Sequence, residues 1–132
     1  MTPVKFRRAL HRRPELSFQE HETQQFIIDA LHSEGIPYRV IAGTGVLAII
    51  EGKRGNLKRC VVLRADIDAL PIKELNDIEY CSKNEGVMHA CGHDIHTAVL
   101  YGVLLRLAEK RDFEGTIFGI FQPGEECNPG GA

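Results

Sequence analysis

The chain has 132 residues, 43% of them hydrophobic and 26% charged, enough for one domain with a real core, which excludes a disordered or fibrous polypeptide. Lys and Arg number 16 against 18 Asp and Glu, a formal charge of -2; that balance carries no basic footprint, so nucleic acid is not an expected partner. The one basic cluster, Lys5, Arg7, Arg8 and His11 to Arg13, reads as a solvated helix face.

Met1 to Phe6 lacks the apolar core of a secretion signal and no later apolar run reaches bilayer length, so the expected address is cytoplasmic, with no membrane partner. The four cysteines, Cys60, Cys81, Cys91 and Cys127, are irregularly spaced, which favours reduced thiols over a disulfide framework.

Lys5 to Arg12 is read as a short helix that must stop before Pro14, because a residue preceding proline is pushed out of helical dihedrals. Ser17 and Glu20 have the spacing of a capping box, and Thr23, Phe26, Ile27, Ala30 and Leu31 follow at helical period up to a stop at Gly35. Pro37 to Ile41 and Val46 to Glu51 read as a hairpin around Ala42-Gly43-Thr44-Gly45. Gly52 to Lys58 is a polar turn. Arg59 to Asp66 is then a third strand, expected to be central from its apolar run, with Asp66 and Asp68 delivered at its carboxyl end.

Residues 72 to 90 look irregular. From Asp94, a candidate N-cap, the spacing of Ala98, Leu100, Val103, Leu104, Leu107 and Ala108 predicts a largely buried helix closed by Lys110 and Arg111. Gly115 turns the chain into a last strand, Thr116 to Phe121, which ends on Gln122-Pro123-Gly124-Glu125-Glu126.

Met88 to His96 holds three of the six histidines, with Cys91 and Asp94; imidazole and thiolate are the donors that borderline-soft ions such as zinc prefer. Cys91 and His93 are two apart, so an extended loop puts both on one side, whereas a helix would separate them by roughly 200°. His89 and His96 are open between a supporting role, a substrate contact and simple proximity. In metallohydrolases one carboxylate binds metal while another takes a proton from water, and Glu125-Glu126 offers both if an irregular turn aims them inward. Each feature has a plainer meaning. A Glu-Glu pair is usually solvated, a cysteine is often a small hydrophobe, and an aspartate at a strand end is often a turn residue. Their joint placement at the ends of buried strands and the head of a buried helix favours a site, because ligands gather at the carboxyl ends of strands in open α/β sheets.

Four segments, Leu10 to Glu20, Leu63 to Pro71, Met88 to Thr97 and Phe121 to Glu126, resemble in order and spacing the metal-dependent amidohydrolases of N-acyl amino acids. That group of metallopeptidases includes hippurate hydrolase, N-acetyl-diaminopimelate deacetylase and the auxin-conjugate hydrolases. The resemblance implies an α/β fold, a zinc-exopeptidase-like sandwich with a mixed central sheet flanked by helices, of which residues 1–132 would form the N-terminal part of the catalytic domain. An inserted dimerisation domain and the C-terminal half, with two further histidine ligands, would lie outside it.

By the same resemblance Cys91, His93 and Glu126 match metal ligands, Glu125 matches the general base, and Asp68 matches an aspartate that orients a ligand; Asp66 has no equally clear role. It further implies two divalent transition-metal ions (Zn, Mn, Co or Ni) in the intact enzyme, a small N-acyl amino acid as substrate, and a homo-oligomer as an open option. Gly124 stands where the family usually has alanine, a change expected to be tolerated. Two other readings stay in play. One is a non-catalytic fragment binding at most a metal ion or a partner, since the ligand set is short. The other makes Cys91 a nucleophile beside His93 or His96, which leaves the Glu pair unexplained.

Overall fold

In a computed structural model describing residues 1–55 and 58–132, the chain runs α1 (Pro3–His11), α2 (His21–Ser33), β1 (Tyr38–Ile41), β2 (Gly45–Glu51), β3 (Cys60–Asp66), α3 (His93–Lys110) and β4 (Thr116–Gln122). The sheet order is β1-β2-β4-β3. β1 and β2 form the expected antiparallel hairpin, β4 runs antiparallel to β2, and β3 and β4 are parallel, joined through α3. The fold is a mixed α/β layer structure. The polar turn expected over Gly52 to Lys58 lies partly outside the described residues.

Period-2 alternation turns Val46, Ala48 and Ile50 of β2 and Phe121 of β4 to one face, where they are buried with Phe6 of α1, Ile27 and Leu31 of α2, and Tyr101 and Leu104 of α3. Phe6 joins the helices. Its ring stacks on Tyr101 at a centroid distance of 4.2 Å and lies 4.9 Å from Phe26. Gly119 is where α3 meets the sheet: a Cβ there would come within 2.8 Å of Leu104. Gly35 closes α2 at φ 65, the left-handed conformation that glycine adopts without a Cβ penalty.

The structure corrects three readings. Within the sheet of the described residues β3 lies at the end rather than in the centre, because β4 enters between β2 and β3; Val61 and Val62 are 56% and 55% exposed. The Ser17–Glu20 capping box is not formed. The first turn of α2 is capped instead by the Glu15 carboxylate, which accepts from the backbone N–H of Glu22 and Thr23 at 3.2 and 2.8 Å, an anion at the positive end of the helix. Asp94 is not the side-chain cap of α3. That position belongs to Gly92, in left-handed conformation; Asp94 keeps Oδ1 on the first-turn N–H of Ile95 at 2.9 Å and turns Oδ2 inward. Within α3, Val103 and the neighbouring Val99 are exposed while Ala98, Leu100 and Leu104 are buried, so its apolar stripe is only partly covered.

Asp94 turns inward because a buried carboxylate needs partners. It meets Arg7 Nε at 2.6 Å and His11 Nδ1 at 2.7 Å, while His11 Nε2 reaches Glu74 at 3.0 Å. Burial alone would raise the pKa of Glu74; hydrogen bonds from His11, the Ser82 N–H and Asn76 outweigh it and lower the pKa to about 2. A depressed carboxyl pKa stabilises the fold above the ordinary value and loses that contribution as pH falls from about 4.5 to about 2. Replacing Glu74 with Gln is therefore expected to cost on the order of 1–3 kcal/mol at neutral pH and to flatten acid denaturation over this window, as checked by urea unfolding at stepped pH. An unchanged acid profile would refute the assignment.

No described helix is long and apolar enough to cross a membrane. All four cysteines are free.

Candidate metal centre

Asp68 lies just past the end of β3, His93 opens α3, Cys91 precedes it in a loop, and Glu125 and Glu126 follow β4. Because β3 and β4 are parallel and paired from Cys60 with Thr116 to Asp66 with Gln122, their carboxyl ends meet at one place. α3 returns its N-terminus to the same edge. The sheet topology thus brings together residues separated by up to half the chain.

The geometry is compact. Ligand atoms of Cys91, His93 and Glu126 all lie within 4.8 Å of one another. His93 Nε2 is 3.8 Å from Glu126 Oε1 and 3.8 Å from Glu125 Oε2. On its other side, His93 Nδ1 donates towards the Asp68 carbonyl at 3.0 Å and the Asp68 carboxylate at 3.1 Å. Both are acceptors, so Nδ1 carries the proton and Nε2 is aimed at the Glu pair. A carboxylate behind the imidazole fixes tautomer and ring orientation in metal sites generally. Asp66, His93 and His96 form a second group of the same tightness that shares His93; His96 itself is exposed.

Asp68 is almost fully buried and has three donors: His93, the Ser17 hydroxyl at 2.8 Å and the Glu126 N–H at 2.8 Å. Burial works against its charge, but these hydrogen bonds hold its carboxyl below the usual carboxylate range. The hydrogen bond with Asp68 in turn raises the His93 pKa, burial opposing it. At Cys91 a hydrogen bond with Glu126 comes first and burial second, with Glu126, Glu125 and Asp68 adding negative charge; together they push the thiol up.

The donor set fits a cation. Glu126 Oε1 is buried without a hydrogen-bond partner among the described residues, and a buried carboxylate oxygen left unpaired is costly. A divalent ion among Cys91, His93 and Glu126 would satisfy it and offset the acidic charge that keeps the thiol protonated. His89 is placed differently. It is 5% exposed, 6.3 Å from the His11 ring, with both ring nitrogens unpartnered among the described residues, and burial lowers its pKa to about 4.

Sequence reasoning treated Ser17 and Glu20 as helix caps and missed where they point. Ser17 reaches Asp68, while Glu20 Oε1 accepts the Gly124 N–H at 2.9 Å and Glu20 Oε2 accepts the Thr44 hydroxyl at 2.6 Å. The available signal was the number of polar side chains between Pro14 and Glu20, where Glu15, Ser17, Gln19 and Glu20 are more than one helix end needs. Gly124 has φ +61, and a Cβ there would sit 2.6 Å from Phe18 Cζ. Glycine is therefore accommodated at this position, as expected, whereas an alanine would be strained in this backbone.

The model of peptidase family M20/M25/M40 matches residues 62–132. The chain is 48% identical over 131 residues to the N-acyl-L-amino acid amidohydrolase of Geobacillus stearothermophilus, covering 98% of this chain and 35% of that protein. It is also 48% identical over 129 residues to the N-acetyl-L-cysteine deacetylase of Bacillus subtilis (strain 168), covering 96% and 30%. A dinuclear metal-binding peptidase of the M20 family from Bacillus subtilis superposes with a TM-score of 0.92 at 44% identity, over 97% of this chain and 36% of that one. The chain spans about a third of the length of the curated relatives it matches. With the family's model fitting more than half of the chain, and its fold and acidic, imidazole and thiol donors laid out along one sheet edge, this chain belongs to peptidase family M20/M25/M40.

Proposed function

We propose that this chain is the N-terminal part of the catalytic domain of an amidohydrolase, and that the whole protein cleaves the amide bond of N-acyl amino acids. The observation that carries the reading is the convergence of Cys91, His93 and Glu126 within 4.8 Å at the sheet edge. These three residues would hold metal, Glu125 would be the general base, and Asp68 would orient His93. The amidohydrolase and deacetylase names of relatives nearly half identical to this chain support the substrate class. The dinuclear relative supports two ions, and the inserted dimerisation domain and remaining histidine ligands would come from outside residues 1–132.

A divalent transition metal such as Zn, Mn, Co or Ni supplies Lewis acidity at the scissile carbonyl and lowers the pKa of water to about 7. His93, its Nδ1 held by Asp68, presents Nε2 without rotational search. Glu125, whose side chain is 41% exposed beside His93 Nε2, can reach solvent and substrate; it takes a proton at its carboxylate and returns it to the leaving amine.

The thiol-nucleophile alternative fits poorly. An attacking cysteine needs a depressed pKa, whereas Glu126 and its acidic neighbours push Cys91 up.

Cobalt titration of the chain tests the ligand set. Co(II) is expected to bind with a near-ultraviolet thiolate–cobalt absorption that disappears in Cys91→Ala, while His93→Ala weakens binding at least as strongly. Affinity should fall as pH is lowered, because the raised Cys91 and His93 must release protons on binding. Wild-type binding without a thiolate signature would remove Cys91 from the site.

A further inference from the structure

We infer that Glu20 is a positioning residue for the Glu125–Glu126 turn, holding it in place through the Gly124 amide. The inference deepens the proposed function and rests on it. Glu20 sits at the start of α2 yet contributes no side-chain cap; Glu15 does that. It is 0% exposed. Burying a carboxylate costs several kcal/mol unless its oxygens are hydrogen-bonded, and nothing in the helix requires an acid there. Both oxygens are used by other parts of the fold: Gly124 N–H at 2.9 Å and the Thr44 hydroxyl at 2.6 Å. One end of the side chain is thus anchored to the β1–β2 turn, and the other grips the residue before the Glu pair.

The rest of the segment closes on the same turn. Phe18 adopts φ 61, a conformation that costs a bulky residue roughly 1–2 kcal/mol and persists where surroundings impose it. Its ring lies over Gly124, leaving no room for a Cβ. The Gly124 carbonyl accepts the Gly131 N–H at 3.1 Å, and Pro123 rests against Gly45, where an added Cβ would lie 2.8 Å from its ring. Two residues on, the Glu126 N–H is held by Asp68, which also receives Ser17. Adjacent residues of an extended strand point to opposite sides. Gly124 at φ +61 breaks that alternation, and Glu20 and Asp68 pin the peptide N–H groups on either side of Glu125. That is how both carboxylates come to lie 3.8 Å from His93 Nε2.

The test uses Glu20→Ala, Glu20→Gln and Thr44→Val in this chain, with two readouts: Co(II) affinity with its thiolate–cobalt absorption, and hydrogen exchange of the Gly124 and Glu126 amides without metal. Glu20→Ala is expected to weaken Co(II) about 10–100-fold, the usual cost of losing a residue that orients ligands, and to speed exchange at both amides. Gln keeps an acceptor for Gly124 and a donor for Thr44, so it should restore affinity to within a few-fold. Thr44→Val removes one hydrogen bond at a distance and should cost roughly fivefold. A folded Glu20→Ala with wild-type affinity, absorption and exchange overturns the inference, as does a folded Gln variant no better than Ala. Should Ala not fold, Gln and Thr44→Val decide, and wild-type exchange in Thr44→Val counts against it. If the wild-type chain shows no thiolate–cobalt signal, the metal reading fails instead, and amide exchange still decides whether Glu20 holds the turn.

Discussion

Replacing Glu125 with Gln in the full-length protein is expected to lower amide hydrolysis by about 10²–10⁴-fold, the usual worth of a general base, while leaving metal content unchanged. The separation follows from position. Glu126 has a buried oxygen grouped with Cys91 and His93, and its N–H is tied to Asp68. Glu125 reaches the same imidazole at 3.8 Å, but its side chain is 41% exposed. It can meet a proton, and losing its charge leaves the tight donor set intact. Gln is isosteric and cannot accept the proton, so kcat should fall with little change in KM. Steady-state hydrolysis of N-acetyl and N-benzoyl amino acids, with metal analysis of both proteins, checks this. A variant within tenfold of wild-type kcat would assign the base elsewhere.

Asp68→Ala is expected to weaken Co(II) by about 10–100-fold, since His93 loses the group that orients it. The same change leaves the Ser17 hydroxyl and the Glu126 N–H without their acceptor, which should cost on the order of 1–3 kcal/mol of stability. Asp68→Asn keeps one acceptor oxygen and should fall between. Because Asp68 is held below its ordinary pKa of 3.8, its stabilisation is present above that value and is lost as pH falls below it. Cobalt titration and denaturant unfolding of the three proteins, with unfolding repeated at acid pH, measure both effects. If Asp68→Ala bound metal as tightly as wild type, the orienting role would be gone.

Much of the fold was legible because its signals are local. The buried face of α2 follows from Thr23, Ile27, Ala30 and Leu31 at helical spacing and a glycine where the left-handed stop falls. The β1–β2 hairpin follows from two strand-forming runs around Ala42 to Gly45. The donors at the site were legible for a similar reason: thiol, imidazole and paired carboxylate are rare together, and each sits at an element end. What failed were assignments of partner. Ser17, Glu20 and Asp94 all occupy positions where a side chain can cap its own helix, and each turns to a residue far along the chain: Asp68, Gly124, and the pair Arg7 and His11. Capping is a short-range, partly solvated interaction worth about 1 kcal/mol. A buried carboxylate facing an amide or a cation in low dielectric outweighs it.

The amino-acid order alone determined the helices, the hairpin and the chemical identity of the donors, since periodicity, breakers and side-chain chemistry act over a few residues. Only the tertiary structure decided that β4 inserts between β2 and β3, which puts β3 at the end of the sheet of the described residues and brings the ends of β3 and β4 together with the head of α3. It also decided that Ser17 and Glu20 reach Asp68 and Gly124 beside those strand ends, leaving Glu15 to cap α2. Those outcomes depend on which buried polar groups find one another across the sheet, a pairing that no local pattern encodes.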